Sequence, residues 1–184
     1  MGPLVLLPLG FLYLFLSPPP EVLLLQLSTQ EHCTRLLDRG DHHGGANCIL
    51  TFLKSSPIVP LRHEVLPELW AALLAAGRYT EGRTLAEETF DSPAATARAA
   101  FFRATFDLRL GHPSEAVADF YLALAAAPDD HLRARTCLEL AKALLNLGRR
   151  KDAEAVAAHL RTVLPAAPEL LLLDAIMSGK SRIR

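Results

Sequence analysis

Five residues with metal-ligand chemistry crowd one short stretch: His32, Cys33, His42, His43 and Cys48. Imidazole and thiolate are the donors zinc prefers, so a metal is the first chemistry to test. The spacing fits none of the usual zinc patterns, and His42 and His43 fall in an inter-helix turn, where polar side chains belong in any case. They read as loop histidines. Gly179-Lys180-Ser181 ends like a phosphate loop, but the position five residues before Gly179 holds Asp174 instead of glycine, and no strand precedes it. His63-Glu64 opens like a metalloprotease helix, yet the second imidazole position is Pro67. The carboxylate pairs Glu87-Glu88 and Asp129-Asp130 read as a solvated helix face and a turn, since no partner acid, base or nucleophile is identifiable near them. The expectation is a chain without catalytic residue, metal or cofactor, and not an enzyme.

The elements that would hold these groups are helices. Alanine and leucine dominate from about residue 64 to 173 and β-branched residues are few there, a balance that favours helix over strand. An all-α class follows, and 184 residues suit one domain of ordinary size. The formal net charge of -1 gives no global basic field, so nucleic acid is not an expected partner. Cys33, Cys48 and Cys137 are odd in number and sparse, unlike the dense even set of a stapled secreted domain. They read as buried or half-buried free thiols, which favours a reducing compartment.

The N-terminus pulls the other way. Residues 1–16 carry no charged side chain, and Ser17-Pro18-Pro19-Pro20-Glu21 interrupts before a second apolar run, Val22-Leu23-Leu24-Leu25. A secretory signal usually has a basic start, and here no Lys or Arg precedes Arg35. A membrane span normally needs about 20 apolar residues, and Pro3, Pro8 and Gly10 weaken this one. Three readings stand side by side: an uncleaved anchor or imperfect signal, an apolar arm packed on the first repeat or on a partner, and a segment incidental to the fold.

Punctuation between the helices repeats. Four times a Leu- or Ala-rich stretch ends in glycine, at Gly40, Gly77, Gly111 and Gly148, with spacings of 37, 34 and 37 residues. Glycine there suits the left-handed turn that ends a helix. Five residues on stands a small residue, Gly45, Gly82, Ala116 or Ala153, which lets a second helix approach closely. Twelve residues on stands Phe52, Thr89, Ala123 or Leu160, on the same helix face. Pro57, Pro93, Pro128 and Pro165 then stop the second helix. Each unit is therefore an antiparallel helical hairpin. After Pro168, Glu169–Met177 reads as one more helix closing the open end.

On these residues the chain resembles a tetratricopeptide repeat protein. Gly111, Ala116, Phe120, Ala123 and Pro128, with Ala104 seven residues before the glycine, match the family's pattern most closely; Gly148, Ala153, Ala157 and Pro165, with Ala141, match next. The unit around Gly77 departs by placing Trp70 where a small residue is expected, and the unit around Gly40 is weak in its first helix. The resemblance covers roughly residues 26 to 165, with strong motifs in the last two units. It implies an all-α, right-handed α-solenoid of about four helix-turn-helix units plus a C-terminal capping helix. The domain plan is an apolar segment over 1–21, a repeat domain over 22–178 and a basic tail over 179–184.

In this family the first helices of successive units line a concave groove that takes a peptide or helix. Carried over by offset from each glycine, the third unit offers Arg98, Phe101, Thr105, Leu108 and Arg109, and the fourth Arg135, Leu138, Lys142, Leu145 and Asn146. Cations alternating with apolar surface suit an acidic-hydrophobic segment of a partner protein. The family's clamp for the acidic C-termini of cytosolic chaperones needs particular Lys and Asn residues. The corresponding positions hold Gln30 and Thr34 in the first unit and Phe101 and Thr105 in the third, so that role is not indicated. The expected function is a non-enzymatic adaptor. The alternative is a membrane-tethered structural subunit anchored through residues 4–16. Membrane association is the matching localisation, with cytoplasmic as its alternative.

Overall fold

The computed structural model describes residues 20–55, 59–88 and 93–178, and among them every regular element is an α-helix. In chain order these are α1 (Pro20–Asp38), α2 (His42–Ser55), α3 (Val59–Ala75), α4 (Tyr79–Glu87), α5 (Pro93–Leu110), α6 (Pro113–Ala125), α7 (Asp130–Asn146), α8 (Arg150–Val163) and α9 (Glu169–Met177). This is the tetratricopeptide-like arrangement of successive helix pairs, with α9 as the extra last helix. The apolar run over 1–16, Pro57, Thr89 and the basic tail lie outside the described residues. The chain divides at Val59/Pro60 into two compact units, each taken by itself below.

The four loop glycines have φ between 71° and 84°. Each ends its helix in the same way. The amide after the glycine donates to the carbonyl five residues back: Asp41 to Leu36 (3.0 Å), Arg78 to Leu73 (2.9 Å), His112 to Asp107 (2.8 Å) and Arg149 to Leu144 (2.8 Å). This double-bonded glycine cap satisfies carbonyls a helix end would otherwise leave open. The prolines act less uniformly than expected. Pro93 is the first residue of α5, and Pro67 lies inside α3 without ending it. Two aspartates begin helices: Asp41 accepts from the Gly44 amide at 2.8 Å and Asp129 from the Leu132 amide at 2.7 Å.

In the first unit α1 packs on α2. Among described side chains its interior is made by Cys33, Ala46, Ile49 and Phe52. Gly45 lets the helices close, since a β-carbon there would stand 2.1 Å from Leu37 Cδ2. Cys33 and Cys48 are joined by a disulfide, with Cα atoms 5.4 Å apart. This corrects the expectation of three free thiols: Cys137 is free and buried, whereas the other two bridge the hairpin.

In the second unit each helix packs on the next, α4 on α5, α5 on α6, α6 on α7 and α7 on α8, and α9 covers α7 and α8. Phe120, Leu140, Leu144, Leu160 and Leu173 are fully buried at its centre. Trp70 breaks the small-residue pattern: its indole lies against Phe102 of α5 with ring centroids 5.2 Å apart, and its buried Nε1 makes no hydrogen bond among the described residues. The row continues through Phe101 to Phe120 of α6. The +5 glycine of this part, Gly82, faces the next unit instead of its own first helix: a β-carbon there would lie 2.1 Å from Phe106 Cζ.

That contact sets two effects against each other. Alanine is favoured over glycine inside a helix by about 1 kcal/mol, while overpacking a filled core costs about 1–3 kcal/mol. Phe106 is fully buried. Gly82→Ala is therefore expected to destabilise despite its better helix propensity, as a lowered urea midpoint at unchanged slope. A raised midpoint would show that Phe106 yields.

Candidate functional site

The C-terminal halves of α5 and α7 and the end of α9 enclose a concavity of about 380 Å³, lined by Thr105, Leu108, Arg109, Glu139, Lys142, Leu145, Asn146 and Ile176. The repeat builds it. Counted back from Gly111 and Gly148, positions −6, −3 and −2 are Thr105, Leu108 and Arg109 on α5 and Lys142, Leu145 and Asn146 on α7. These offsets share one helix face by the three-and-four rule, so equivalent faces of adjacent first helices look into the same space. Leu108, Leu145 and Ile176 are half-buried against the core and form the apolar floor.

The polar groups are unequally engaged. Lys142 Nζ donates to Glu139 Oε1 at 2.7 Å, one turn away on α7. Thr105 Oγ1 donates to the Phe101 carbonyl at 2.8 Å, which fixes its rotamer and leaves its oxygen open to a donor. Arg109 is exposed and makes no ion pair or hydrogen bond among the described residues. The site thus offers one unengaged guanidinium, one ammonium shared with a carboxylate, an amide and an apolar floor. In this concavity no nucleophile stands beside a base and no carboxylate pair faces the open space.

Six of the ten groove residues expected from sequence are gathered in this concavity. The other four are not. Phe101 and Leu138, both ten residues before their glycines, are buried in the core and are not offered to a partner. Arg98 lies 3.8 Å from Asp129. Arg135 sits with its guanidinium 5.2 Å from the Phe101 ring centroid, a cation–π contact that ties it to the core it overlies. Two lining residues were missed by sequence reasoning. Glu139 is signalled only by its (i, i+3) spacing to Lys142, and Ile176 belongs to a helix read merely as a cap.

A second, mainly apolar concavity of about 330 Å³ lies between the start of α7 and the α8–α9 turn, walled by Val163, Leu164, Pro165 and Pro168. Its rim carboxylate Asp130 is already paired with Arg133 at 2.5 Å. The pairs read as solvated behave so: Glu87 and Glu88 are exposed, and Asp129 caps α7. Among the described residues no three His, Cys, Asp or Glu side chains gather as a metal site, and no helix is long and apolar enough to cross a membrane. The run Leu4–Leu16, on which the anchored reading rests, lies outside the described residues.

Residues 97–178 match the family described as Tetratrico peptide repeat. The crystal structure of a tetratricopeptide repeat protein from Parabacteroides merdae is similar in fold, with a TM-score of 0.64 at 18% identity, covering 84% of this chain and 60% of that one. The chain thus spans less than two thirds of that structure's length. No curated protein matches it. The matched residues contain the two units with the strongest motifs, their glycine-capped hairpins and the closing helix. Over those residues the chain is similar to the tetratricopeptide repeat family, and its fold is tetratricopeptide-like.

Proposed function

We propose that the chain is a non-enzymatic adaptor that holds an acidic-hydrophobic segment of a partner protein in the concavity between α5, α7 and α9. Tetratricopeptide folds generally mediate protein–protein interaction. The single observation that carries the finer reading is Arg109, an exposed cation without a partner among the described residues, at the edge of a floor made by Leu108, Leu145 and Ile176. A carboxylate beside an aliphatic side chain satisfies both at once: burial of the side chain supplies affinity and the guanidinium supplies orientation. Lys142 contributes less, because a ligand must compete with Glu139 for it.

The reading is tested with a displayed peptide library and the full-length chain. Selected peptides should carry Asp or Glu next to Leu or Ile. Their affinity should fall with added salt, since charge steering is screened over about 8 Å at physiological ionic strength. Arg109→Glu should weaken them by about tenfold or more, the effect of roughly 1.4 kcal/mol. Peptides that bind the Arg109→Glu protein as well as the parent would end the proposal.

A further inference from the structure

Cys33 and Cys48 meet because of the repeat register. Counted from Gly40 they stand at −7 and +8. In the unit of Gly111 the +8 residue is Asp119, which pairs with Arg103 at −8, so the two helices of a hairpin face one another at this level. The −7 position is the close-approach point: Ala104 and Ala141 occupy it in the third and fourth units, both fully buried. In the first hairpin a cysteine takes the alanine's place and its opposite number is a second cysteine. The pair thus lies where the fold brings two helices nearest, with Cα atoms 5.4 Å apart, inside the range a disulfide spans.

We propose that Cys33–Cys48 is a site of enzymatic oxidation, formed by a thiol–disulfide oxidoreductase in an oxidising compartment, and that it locks the first helical hairpin of a protein that works there. Structural disulfides persist where thiols are not kept reduced. The bond closes a loop of 15 residues between two helices, which removes freedom from the opened hairpin. Cys48 is half-buried and Cys33 buried, so the order of events follows from access. The Cys48 thiolate attacks the donor's disulfide and releases one donor thiolate; the Cys33 thiolate then displaces the second donor sulfur. Two thiol protons leave the chain, one disulfide forms in it, and the donor's disulfide becomes a dithiol. Cys137 stays out of the exchange. It is buried on α7, and that burial pushes its thiol up to about 11, which keeps it protonated near neutral pH.

The test counts thiols in the full-length chain as its own host makes it. Cells are quenched in acid, the protein is denatured, and free thiols are tagged with a maleimide-polyethylene glycol before and after reduction. The expected result is one tag before reduction and three after. Three tags before reduction, or a bridge that includes Cys137, overturns the proposal. The locking role is read separately by amide exchange on the purified full chain. Reductant should raise exchange in α1 and α2 by about tenfold or more, leave α5 to α8 unchanged, and have no further effect on Cys33→Ala/Cys48→Ala. Exchange in α1 and α2 that ignores reductant overturns the locking role.

Discussion

Arg83→Ala is expected to lower stability by about 1–3 kcal/mol, the cost of leaving a buried acceptor without its hydrogen-bond partner. Asp107 on α5 is 1% exposed, and its Oδ1 accepts from Arg83 Nε at 2.7 Å. Its Oδ2 makes no hydrogen bond among the described residues, and His112 Nδ1, at 3.7 Å, is too distant for a hydrogen bond to Oδ1. The guanidinium is therefore the group that makes a buried carboxylate tolerable, and it reaches Glu87 at 2.7 Å as well. The hydrogen bond to Asp107 outweighs burial and holds Arg83 above the ordinary arginine range. Removing it leaves the buried Asp107 carboxylate without a side-chain hydrogen bond among the described residues. Two controls decide whether the loss is that of an orphaned charge. Arg149→Ala removes an exposed pair with Asp152 and should cost less than about 1 kcal/mol of urea-unfolding stability. The double variant Arg83→Met/Asp107→Leu should return to within about 1 kcal/mol of the parent, because no buried charge remains. A double variant as weak as the single one would mean that the side chains matter for shape and not for charge.

How much of this was legible depends on whether the feature is local. The loop glycines were, because a left-handed turn after a helix is a property of one residue's backbone, and all four take it. The small and apolar positions of the second helices were as well: Ala116, Ala123, Ala153 and Leu160 are fully buried. Faces that depend on which neighbour packs where were not. Phe101 and Leu138 share the −10 offset and both were placed outward by analogy. α5, however, is covered by α4, α6 and part of α7, which buries Phe101, while Thr105, Leu108 and Arg109 at −6, −3 and −2 stay partly or fully exposed. The cysteine pair was hidden for a similar reason. An odd, sparse set argues for free thiols when composition is all there is. Only the hairpin shows that −7 and +8 oppose one another, leaving Cys137 as the odd residue. The groove was legible in its repeating part, α5 against α7, and illegible at its closed end. Ile176 follows no repeat offset because the last helix has no successor.

That last helix is the object of the second large effect. Leu173→Ala is expected to cost about 2–5 kcal/mol, the range for truncating a fully buried leucine, since Leu173 is completely enclosed where α9 covers α7 and α8. The neighbouring leucines provide the contrast. Leu171 and Leu172 are 76% and 55% exposed, so Leu171→Ala should change stability by no more than about 0.5 kcal/mol. Helix α9 is also held in its C-terminal half, by Arg161 to Asp174 at 2.6 Å and by Arg150 to the Met177 carbonyl at 2.5 Å. These exposed contacts cannot replace the lost burial. In a repeat array each element leans mainly on its neighbours, so the loosening should stay local. Amide exchange should rise in α9 and the facing turns of α7 and α8, and leave α4 and α5 nearly untouched. Ile176 lies three residues beyond Leu173 and closes the concavity, so peptides selected on the parent should also bind Leu173→Ala more weakly, although the substitution touches none of the lining residues. Loosening spread evenly from α4 to α9 would mean that the helices unfold as one block and that α9 is no separate cap. A local loosening with peptide affinity unchanged would place the binding floor on α5 and α7 alone and remove Ile176 from the site.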